Sequence, residues 1–205
     1  MSEVIELKFV HPFSMVVNGP SGCGKTEWIQ KLLYYNMIHN GPDKVVWCYS
    51  KWQDSYGTMK DVEFQEGLSG LNKLDTTRRT LVVLDDLMSD TDKTVMDLFV
   101  RGRHLNISII FVTHNIFYKS PPMRTIRLNS KFLVLFKNPC DTAQVMALGR
   151  QMFPRHAKYW SEAYEDATST VYGYLLVDNR PQTDNAHRLR TQIFPNERQY
   201  MYQIK

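Results

Sequence analysis

An eight-residue segment near the start of the chain has the composition of a phosphate-binding loop. It reads Gly19-Pro20-Ser21-Gly22-Cys23-Gly24-Lys25-Thr26 and fits the pattern GxxxxGK[ST]. In that pattern the glycines let backbone N–H groups surround a β-phosphate at the positive end of the following helix. Lys25 then reaches the β- and γ-phosphates, and the Thr26 hydroxyl is a ligand for Mg²⁺. We therefore predict that residues 19–26 bind ATP with Mg²⁺, rather than forming a turn that matches by chance.

Two carboxylates follow a short apolar run later in the chain. Residues 81–84 are Leu-Val-Val-Leu, and Asp85 and Asp86 come directly after them. Ligands of open α/β sheets bind at the carboxyl ends of the strands. Asp85 suits the outer coordination of Mg²⁺, usually through a water, and Asp86 is placed to orient or deprotonate an attacking water. Because Asp also favours caps and turns, the pair alone fits an ordinary strand end equally well. The phosphate loop favours the catalytic interpretation.

These segments need a scaffold that brings them to one edge. Runs rich in β-branched and aromatic residues predict strands, and apolar residues at helical spacing predict helices. The predicted strands cover residues 14–18, 45–49, 80–84, 107–112, 132–136 and 172–177. The predicted helices cover residues 26–33, 92–104, 142–152 and 157–167, and residues 188–194 are a candidate edge strand. This alternation predicts an α/β fold with a mostly parallel central sheet flanked by helices.

The order of the predicted strands narrows the fold further. The strand over 45–49 lies in sequence between the phosphate-loop strand and the acidic strand, and a strand with a polar tip follows. This order resembles the RecA-like P-loop NTPases of the additional-strand type, rather than nucleotide kinases and small GTPases. In such enzymes a polar strand tip contacts the γ-phosphate or the attacking water. The resemblance gives that role to His114 or Asn115, although polar residues at strand ends also serve as simple caps.

Two arginines lie at the end of the predicted helix before the polar-tipped strand. A positive charge at the C-terminus of a helix, as on Arg101 or Arg103, is favourable by itself by about 0.3–1 kcal/mol. Alternatively, one of them inserts into a neighbouring subunit's site as an arginine finger and stabilises the charge of the transition state. The sequence leaves both interpretations open.

With these motifs in place, the chain resembles the viral genome-packaging ATPases of the FtsK–HerA superfamily, particularly those of poxviruses, virophages and Polinton-like or adintovirus-like elements. The matching segments run through nearly the whole chain: Gly-Pro-Ser-Gly-Cys-Gly-Lys-Thr at 19–26, Cys-Tyr-Ser-Lys-Trp-Gln at 48–53, Phe-Gln-Glu-Gly-Leu at 64–68, Leu-Val-Val-Leu-Asp-Asp at 81–86, Arg-Gly-Arg-His-Leu-Asn-Ile-Ser at 101–108, Leu-Phe-Lys-Asn-Pro at 135–139 and Tyr-Gly-Tyr-Leu-Leu-Val-Asp at 172–178. Many relatives carry Glu and Gln where this chain has Asp86 and His114.

The resemblance implies an ATP-hydrolysing motor that translocates double-stranded viral DNA into a preformed capsid, as a homo-oligomeric ring of five or six subunits. It also implies a capsid or portal vertex as partner. The location would be the nucleus or cytoplasmic viral factory of an infected host cell, or the virion. A nucleotide or small-molecule kinase is the alternative, but it needs an arginine-rich lid that is not evident beyond Arg101 and Arg103. A non-catalytic scaffold would have lost Lys25 or the acidic pair, and both are present.

Translocation requires basic groups that contact DNA phosphates without reading bases. The segment 118–127 follows the polar-tipped strand and mixes basic with aromatic residues. We predict that Lys119, Arg124 and Arg127 lie on a loop that contacts the DNA. A solvated surface loop with ordinary charges is the other interpretation, since small basic clusters are common on surfaces.

Composition limits the remaining classes of function. The chain of 205 residues is 43% hydrophobic and carries a net charge of +4, which fits one domain over residues 1–205 and is compatible with an anionic partner. No apolar run approaches the ~20 residues of a membrane span. Glu3, Glu6 and Lys8 stand where a signal peptide would be apolar, so we expect neither a membrane span nor secretion. Three dispersed cysteines predict neither a disulfide framework nor a zinc site.

Overall fold

The computed structural model describes residues 8–87, 93–115 and 121–204. The strands are β1 (Phe9–Val10), β2 (Ser14–Asn18), β3 (Ile38–His39), β4 (Lys44–Tyr49), β5 (Val62–Glu66), β6 (Thr80–Asp85), β7 (Ile107–Thr113), β8 (Phe132–Phe136), β9 (Tyr174–Asp178), β10 (Leu189–Thr191) and β11 (Tyr200–Tyr202). The helices are α1 (Lys25–Tyr34), α2 (Lys93–Arg101), α3 (Pro121–Asn129), α4 (Thr142–Met152) and α5 (Ala157–Ala167). Short 3₁₀ turns include Asp54–Thr58 and Gly102–Leu105.

A central sheet organises the described part of the chain. Its nine strands there follow the order β11-β10-β9-β8-β2-β7-β6-β4-β5. The strands from β8 to β5 are parallel to their neighbours, and β9 to β11 are antiparallel to theirs. Strand β7 therefore lies between the phosphate-loop strand β2 and the acidic strand β6. The register places Asn18 beside Thr113 and Asp85 beside Val112, so the carboxyl ends of these three strands meet at one edge.

Helices cover both faces of the sheet. Within β2, Val16 packs in one hydrophobic cluster while its neighbours Met15 and Val17 pack in the other, as the period of two in a strand requires. Helices α2 to α5 contribute side chains to the first cluster and α1 to the second. Because both faces are covered, the inner parallel strands β6, β7 and β8 are almost continuously apolar. Within the described residues no helix combines the length and apolar character needed to cross a membrane.

The structure confirms the predicted α/β class and corrects several elements. The strands over 14–18 and 132–136 and the helices over 142–152 and 157–167 have the predicted bounds. The segment 188–194 is not an edge strand, because β10 pairs with β9 on one side and β11 on the other. The helix expected over 92–104 is α2 followed by a 3₁₀ turn, and residue 92 lies outside the described residues. The strand expected over 172–177 begins only at Tyr174.

Candidate nucleotide-binding site

The phosphate loop joins the end of β2 to the start of α1. Gly22 and Gly24 have φ values of 74° and 97°, in the region that residues with a Cβ rarely adopt. The first helical hydrogen bond runs from Trp28 N–H to the carbonyl of Gly24. The amides that precede Trp28 in α1 are therefore without an intrahelical acceptor, which is the arrangement that binds anions at a helix N-terminus.

Cys23 fills the inside of this loop. A Cβ atom added to Gly19 would lie 2.6 Å from the Cys23 sulfur, so the thiol occupies the space beside that glycine. Burial raises the pKa of the Cys23 thiol, which keeps it in the unreactive protonated form at neutral pH. Cys23 is therefore a packing residue of the loop.

Lys25 folds back along the loop. Its Nζ donates hydrogen bonds to the carbonyls of Gly19 at 2.7 Å and Pro20 at 2.8 Å, and lies 3.3 Å from His114 Nδ1. The side chain is buried, and this burial lowers the pKa of Lys25. An anionic phosphate at this position would replace neutral carbonyl acceptors with a charged one, which strengthens the hydrogen bonds of the ammonium group.

The two adjacent acids face different surroundings. Asp85 is 3% exposed, and its Oδ2 accepts hydrogen bonds from Tyr56 Oη at 2.8 Å and Thr26 Oγ1 at 3.4 Å. Burial raises the pKa of Asp85, while Tyr56 and then Lys25 lower it. Asp86 is exposed, has a φ of 56° and lies 3.3 Å from His114 Nε2. Asp85 is thus positioned as an internal ligand, and Asp86 as a group that water can reach.

His114 connects the acidic pair to the phosphate loop. Its Nε2 lies 3.3 Å from an Asp86 oxygen, and its Nδ1 lies 3.3 Å from Lys25 Nζ and 3.2 Å from the carbonyl of Gly19. With the proton on Nε2, the imidazole donates to Asp86 and accepts from Lys25. The backbone N–H of the next residue, Asn115, donates to Thr113 Oγ1 at 3.1 Å.

The structure thus brings eight predicted site residues to one cleft of about 540 Å³, within the range of roughly 300–1,000 Å³ that holds small ligands. They are Ser21, Gly22, Gly24, Lys25, Thr26, Asp85, Asp86 and His114. Thr26 Oγ1 and Asp85 are two oxygen donors beside the loop, and Mg²⁺ prefers such donors and takes one or two from protein together with substrate phosphates. The donor set therefore fits Mg²⁺ bound with ATP.

Tyr56 is a site residue that sequence reasoning missed. It is fully buried in the 3₁₀ turn after β4. The centroid of its ring lies 5.4 Å from that of Phe64, on which it stacks, and 5.5 Å from the ring centroids of Trp47 and Trp52. This packing holds the phenol against Asp85. The aromatic density of residues 47–56 was the available signal, but it gives no indication that one hydroxyl reaches a carboxylate 29 positions away.

Arg101 and Arg103 lie far from these groups. Both are exposed and precede the start of β7, whereas His114 follows its end. The seven residues of β7, at about 3.3 Å each, separate the sheet edge before β7, where the arginines lie, from the sheet edge after β7, where His114 lies, by roughly 20 Å. The charge of Arg103 acts on Lys131, which precedes β8 at the same edge. Neither arginine can reach the phosphate loop of its own chain.

The expected DNA-contacting loop is a helix over most of its length. Arg124 and Arg127 lie on α3, and Lys119 lies outside the described residues. The Pro-Pro pair at 121–122 begins this helix, because proline is well tolerated in the first turn, where its missing N–H is not needed. Arg124 is exposed, and Arg127 is half-buried. Burial, followed by the charge of Arg124, lowers the pKa of Arg127.

The inserted strand β7, the phosphate loop and the acidic strand end together define a P-loop ATPase of the additional-strand class. Residues 34–138 match the family model of the poxvirus A32 protein, and the chain belongs to this family. The matched range contains Asp85, Asp86 and His114, and the phosphate loop lies before it. This result confirms the resemblance to viral packaging ATPases.

Solved structures of viral packaging enzymes share the fold. The genome packaging NTPase B204 from Sulfolobus turreted icosahedral virus 2 in complex with ATP-gammaS is 12% identical with a TM-score of 0.56, over 84% of this chain and 94% of that one. B204, the DNA-packaging ATPase from Sulfolobus turreted icosahedral virus, is 12% identical with a TM-score of 0.59, over 84% and 96%. No curated protein sequence matches the chain.

Proposed function

We propose that this chain is an ATP-driven motor that translocates double-stranded viral DNA into a preformed capsid. The observation that carries the proposal is the convergence of Lys25, Thr26, Asp85, Asp86 and His114 at one sheet edge, in a member of the poxvirus A32 family. The alternative of a nucleotide or small-molecule kinase receives no support from the comparisons. We place its action in the infected host cell, with a capsid or portal vertex as partner.

Each residue has a role that follows from its contacts. Lys25 would exchange its carbonyl acceptors for the β- and γ-phosphate oxygens. Thr26 and Asp85 would hold Mg²⁺, which would neutralise the negative charge that develops on the phosphates. The exposed carboxylate of Asp86 would orient or deprotonate the attacking water, and His114, bonded to Asp86 and beside Lys25, would fix the position of that carboxylate relative to the γ-phosphate. Asn115 is the second candidate for this sensor position.

The first experiment measures ATP hydrolysis with and without duplex DNA, together with the particle mass in the presence of an ATP analogue. A motor of this kind should assemble into a ring of five or six subunits and hydrolyse ATP faster on DNA. Lys25→Ala should abolish hydrolysis. Phosphoryl transfer to an added acceptor, with no effect of DNA, would contradict the proposal.

The arginine finger is tested by mixing two inactive variants. If Arg101 or Arg103 completes a neighbour's site, the double variant Arg101→Ala with Arg103→Ala should be inactive as a ring. Mixing it with Lys25→Ala subunits should restore activity, because some junctions then pair an intact loop with an intact arginine. Full activity of the double-arginine variant in the assembled ring would refute the finger.

The DNA contact is tested by charge reversal on α3. Arg124→Glu and Arg127→Glu should reduce the stimulation of ATPase by duplex DNA, because reversed charges repel the phosphates. Lys73→Glu is the matched control, since Lys73 is exposed on a short turn before β6. Unchanged DNA stimulation in the α3 variants would show that these arginines do not contact the DNA.

A further inference from the structure

A second cleft borders the phosphate cleft. The two share Gly24, Glu27 and Tyr172 in their walls, so a ligand can extend from one into the other. The second cleft lies on the side of α1 that faces β9 and β10, away from Asp85 and His114, and has a volume of about 220 Å³. This is less than the roughly 300 Å³ at which sites for whole small molecules begin. The second cleft is therefore large enough to hold part of a ligand whose remainder occupies the phosphate cleft.

The floor of the second cleft is aromatic and its rim is polar. Trp28, Tyr174 and Phe194 form the floor, and all three are buried. Their rings lie 5.6–6.4 Å apart in tilted or edge-on contacts. The rim includes Gln192 and Lys31. The lining thus combines buried aromatic rings with a larger polar share that includes Glu27, Thr191 and Glu197; a planar heterocycle can use the rings for apolar contact and the polar groups for orientation.

Tyr172 stands at the boundary between the two clefts. It is 61% exposed although it is a large aromatic residue, and it lies in the turn between α5 and β9. Its ring contacts the phosphate loop: a Cβ atom added to Gly24 would lie 3.1 Å from Tyr172 Cδ1. An alanine at position 24 would therefore press against this ring. The exposed aromatic face thus begins where the phosphate loop meets α1.

The backbone of this turn sets the direction in which the Tyr172 side chain leaves the chain. Tyr172 has a φ of 61°, a left-handed conformation that costs an L-residue about 1–2 kcal/mol and that is typical of ligand-binding segments. The next residue, Gly173, donates its N–H to the carbonyl of Thr170 at 3.0 Å. A Cβ atom on Gly173 would lie 2.5 Å from the carbonyl of Ala167, so the turn is closely packed against the end of α5.

We propose that Tyr172 is a stacking platform for the purine base of the bound nucleotide, and that the second cleft receives this base. The proposal rests on the proposed function, because it requires the triphosphate to lie on residues 19–26. With the γ-phosphate directed toward Asp85 and His114, the nucleoside leaves the loop on the opposite side, over Gly24 and toward Tyr172. Aromatic stacking suits a base because it needs a planar face and no fixed hydrogen-bond pattern.

The test separates the base from the phosphates. Binding of ATPγS and of inorganic tripolyphosphate is measured by calorimetry for the wild-type chain and for Tyr172→Ala. Tyr172→Ala should bind ATPγS roughly 5- to 150-fold more weakly and should bind tripolyphosphate as the wild type does. Tyr172→Phe keeps the ring and should retain ATPγS affinity. Tyr34→Ala is the matched control, because Tyr34 is another exposed tyrosine, 82% exposed, that lines neither cleft; it should affect neither ligand.

The possible failures are distinguishable. No change in either ligand in Tyr172→Ala would overturn the stacking role while leaving the phosphate site intact. Equal weakening of both ligands would also overturn it, because the substitution would then act on the phosphate loop that Tyr172 contacts. Lys25→Ala should weaken both ligands, because it removes a phosphate contact. If the wild-type chain bound neither ligand, the proposed function would fail and the base site with it. Tripolyphosphate binding also reports whether the Tyr172→Ala chain is folded.

Discussion

The hydrogen bond between Tyr56 and Asp85 should be measurable as a coupling in folding stability. Tyr56→Phe removes only the hydroxyl, and the surrounding rings of Trp47, Trp52 and Phe64 can keep their contacts. Both partners are almost fully buried and their oxygens lie 2.8 Å apart. Hydrogen bonds to a charged group contribute about 1.5–3 kcal/mol. We expect Tyr56→Phe to lower the free energy of unfolding by that amount at neutral pH.

The assay is urea unfolding in a double-mutant cycle. The free energies of unfolding of Tyr56→Phe, Asp85→Asn and the double variant are compared with that of the wild type. The coupling energy is the difference between the loss of stability in the double variant and the sum of the losses in the two single variants. We expect a coupling of about 1.5 kcal/mol or more, since the neutral amide of Asn is a weaker acceptor. Additive effects, within about 0.5 kcal/mol, would refute the claim that the hydroxyl stabilises this carboxylate.

The same variant has a defined pH dependence. Burial raises the folded-state pKa of Asp85 above its ordinary value of 3.8, so the folded state binds this proton more strongly than the unfolded state. The stability that Asp85 contributes is therefore present below pH 3.8 and is lost as the pH rises through the raised pKa. Because Tyr56 lowers this pKa, Tyr56→Phe raises it further. The difference between variant and wild type should widen as the pH rises.

Two other features give predictions that a stability measurement can check. Burial lowers the pKa of His11 from 6.5, and the His11 ring forms hydrogen bonds with Ser108 Oγ and the Asn106 carbonyl. The stability that neutral His11 gives to the fold should therefore be present above pH 6.5 and be lost as the pH falls. The melting temperature of His11→Gln should fall less between pH 7.5 and pH 5 than that of the wild type. Gly149→Ala would place a methyl group against the Trp160 ring and should lower the free energy of unfolding, measured in urea, by about 1–3 kcal/mol or more. Gly57→Ala is the control, because a methyl group at Gly57 would meet open space. Equal losses of stability in the two variants would contradict the packing argument.

The sequence was informative where neighbouring residues act together. The phosphate loop could be read directly, because Lys25 and Thr26 are adjacent to the glycines that position them. Strand β8 is a continuous apolar run, β2 has three apolar residues between Ser14 and Asn18, and both strands are fully buried, which is why their bounds were predictable. Edge strand β5 was missed because it is only partly buried and carries Glu63 and Glu66.

What sequence could not supply is contact between distant segments. Tyr56 meets Asp85 across 29 positions, and Lys25 approaches His114 across 89; both contacts depend on the order of strands in the sheet. Helix α3 was missed for a different reason, since proline marks a loop or a helix start equally well. The position of Tyr172 against Gly24 likewise required the turn after α5 to be folded.

The roughly 20 Å between the two edges of β7 constrains how subunits can associate. An arginine at one edge completes a neighbour's site at the other edge only when unlike surfaces meet, which is heterologous, head-to-tail packing. A two-fold dimer sets like surfaces together and would pair arginine edge with arginine edge. Head-to-tail packing gives every subunit one donor and one acceptor surface, and closure into a circle leaves neither unused. Because β7 is parallel to β2 and β6, every arginine edge in the ring would face the same way around it. Hydrolysis would then pass from subunit to subunit in one rotational direction.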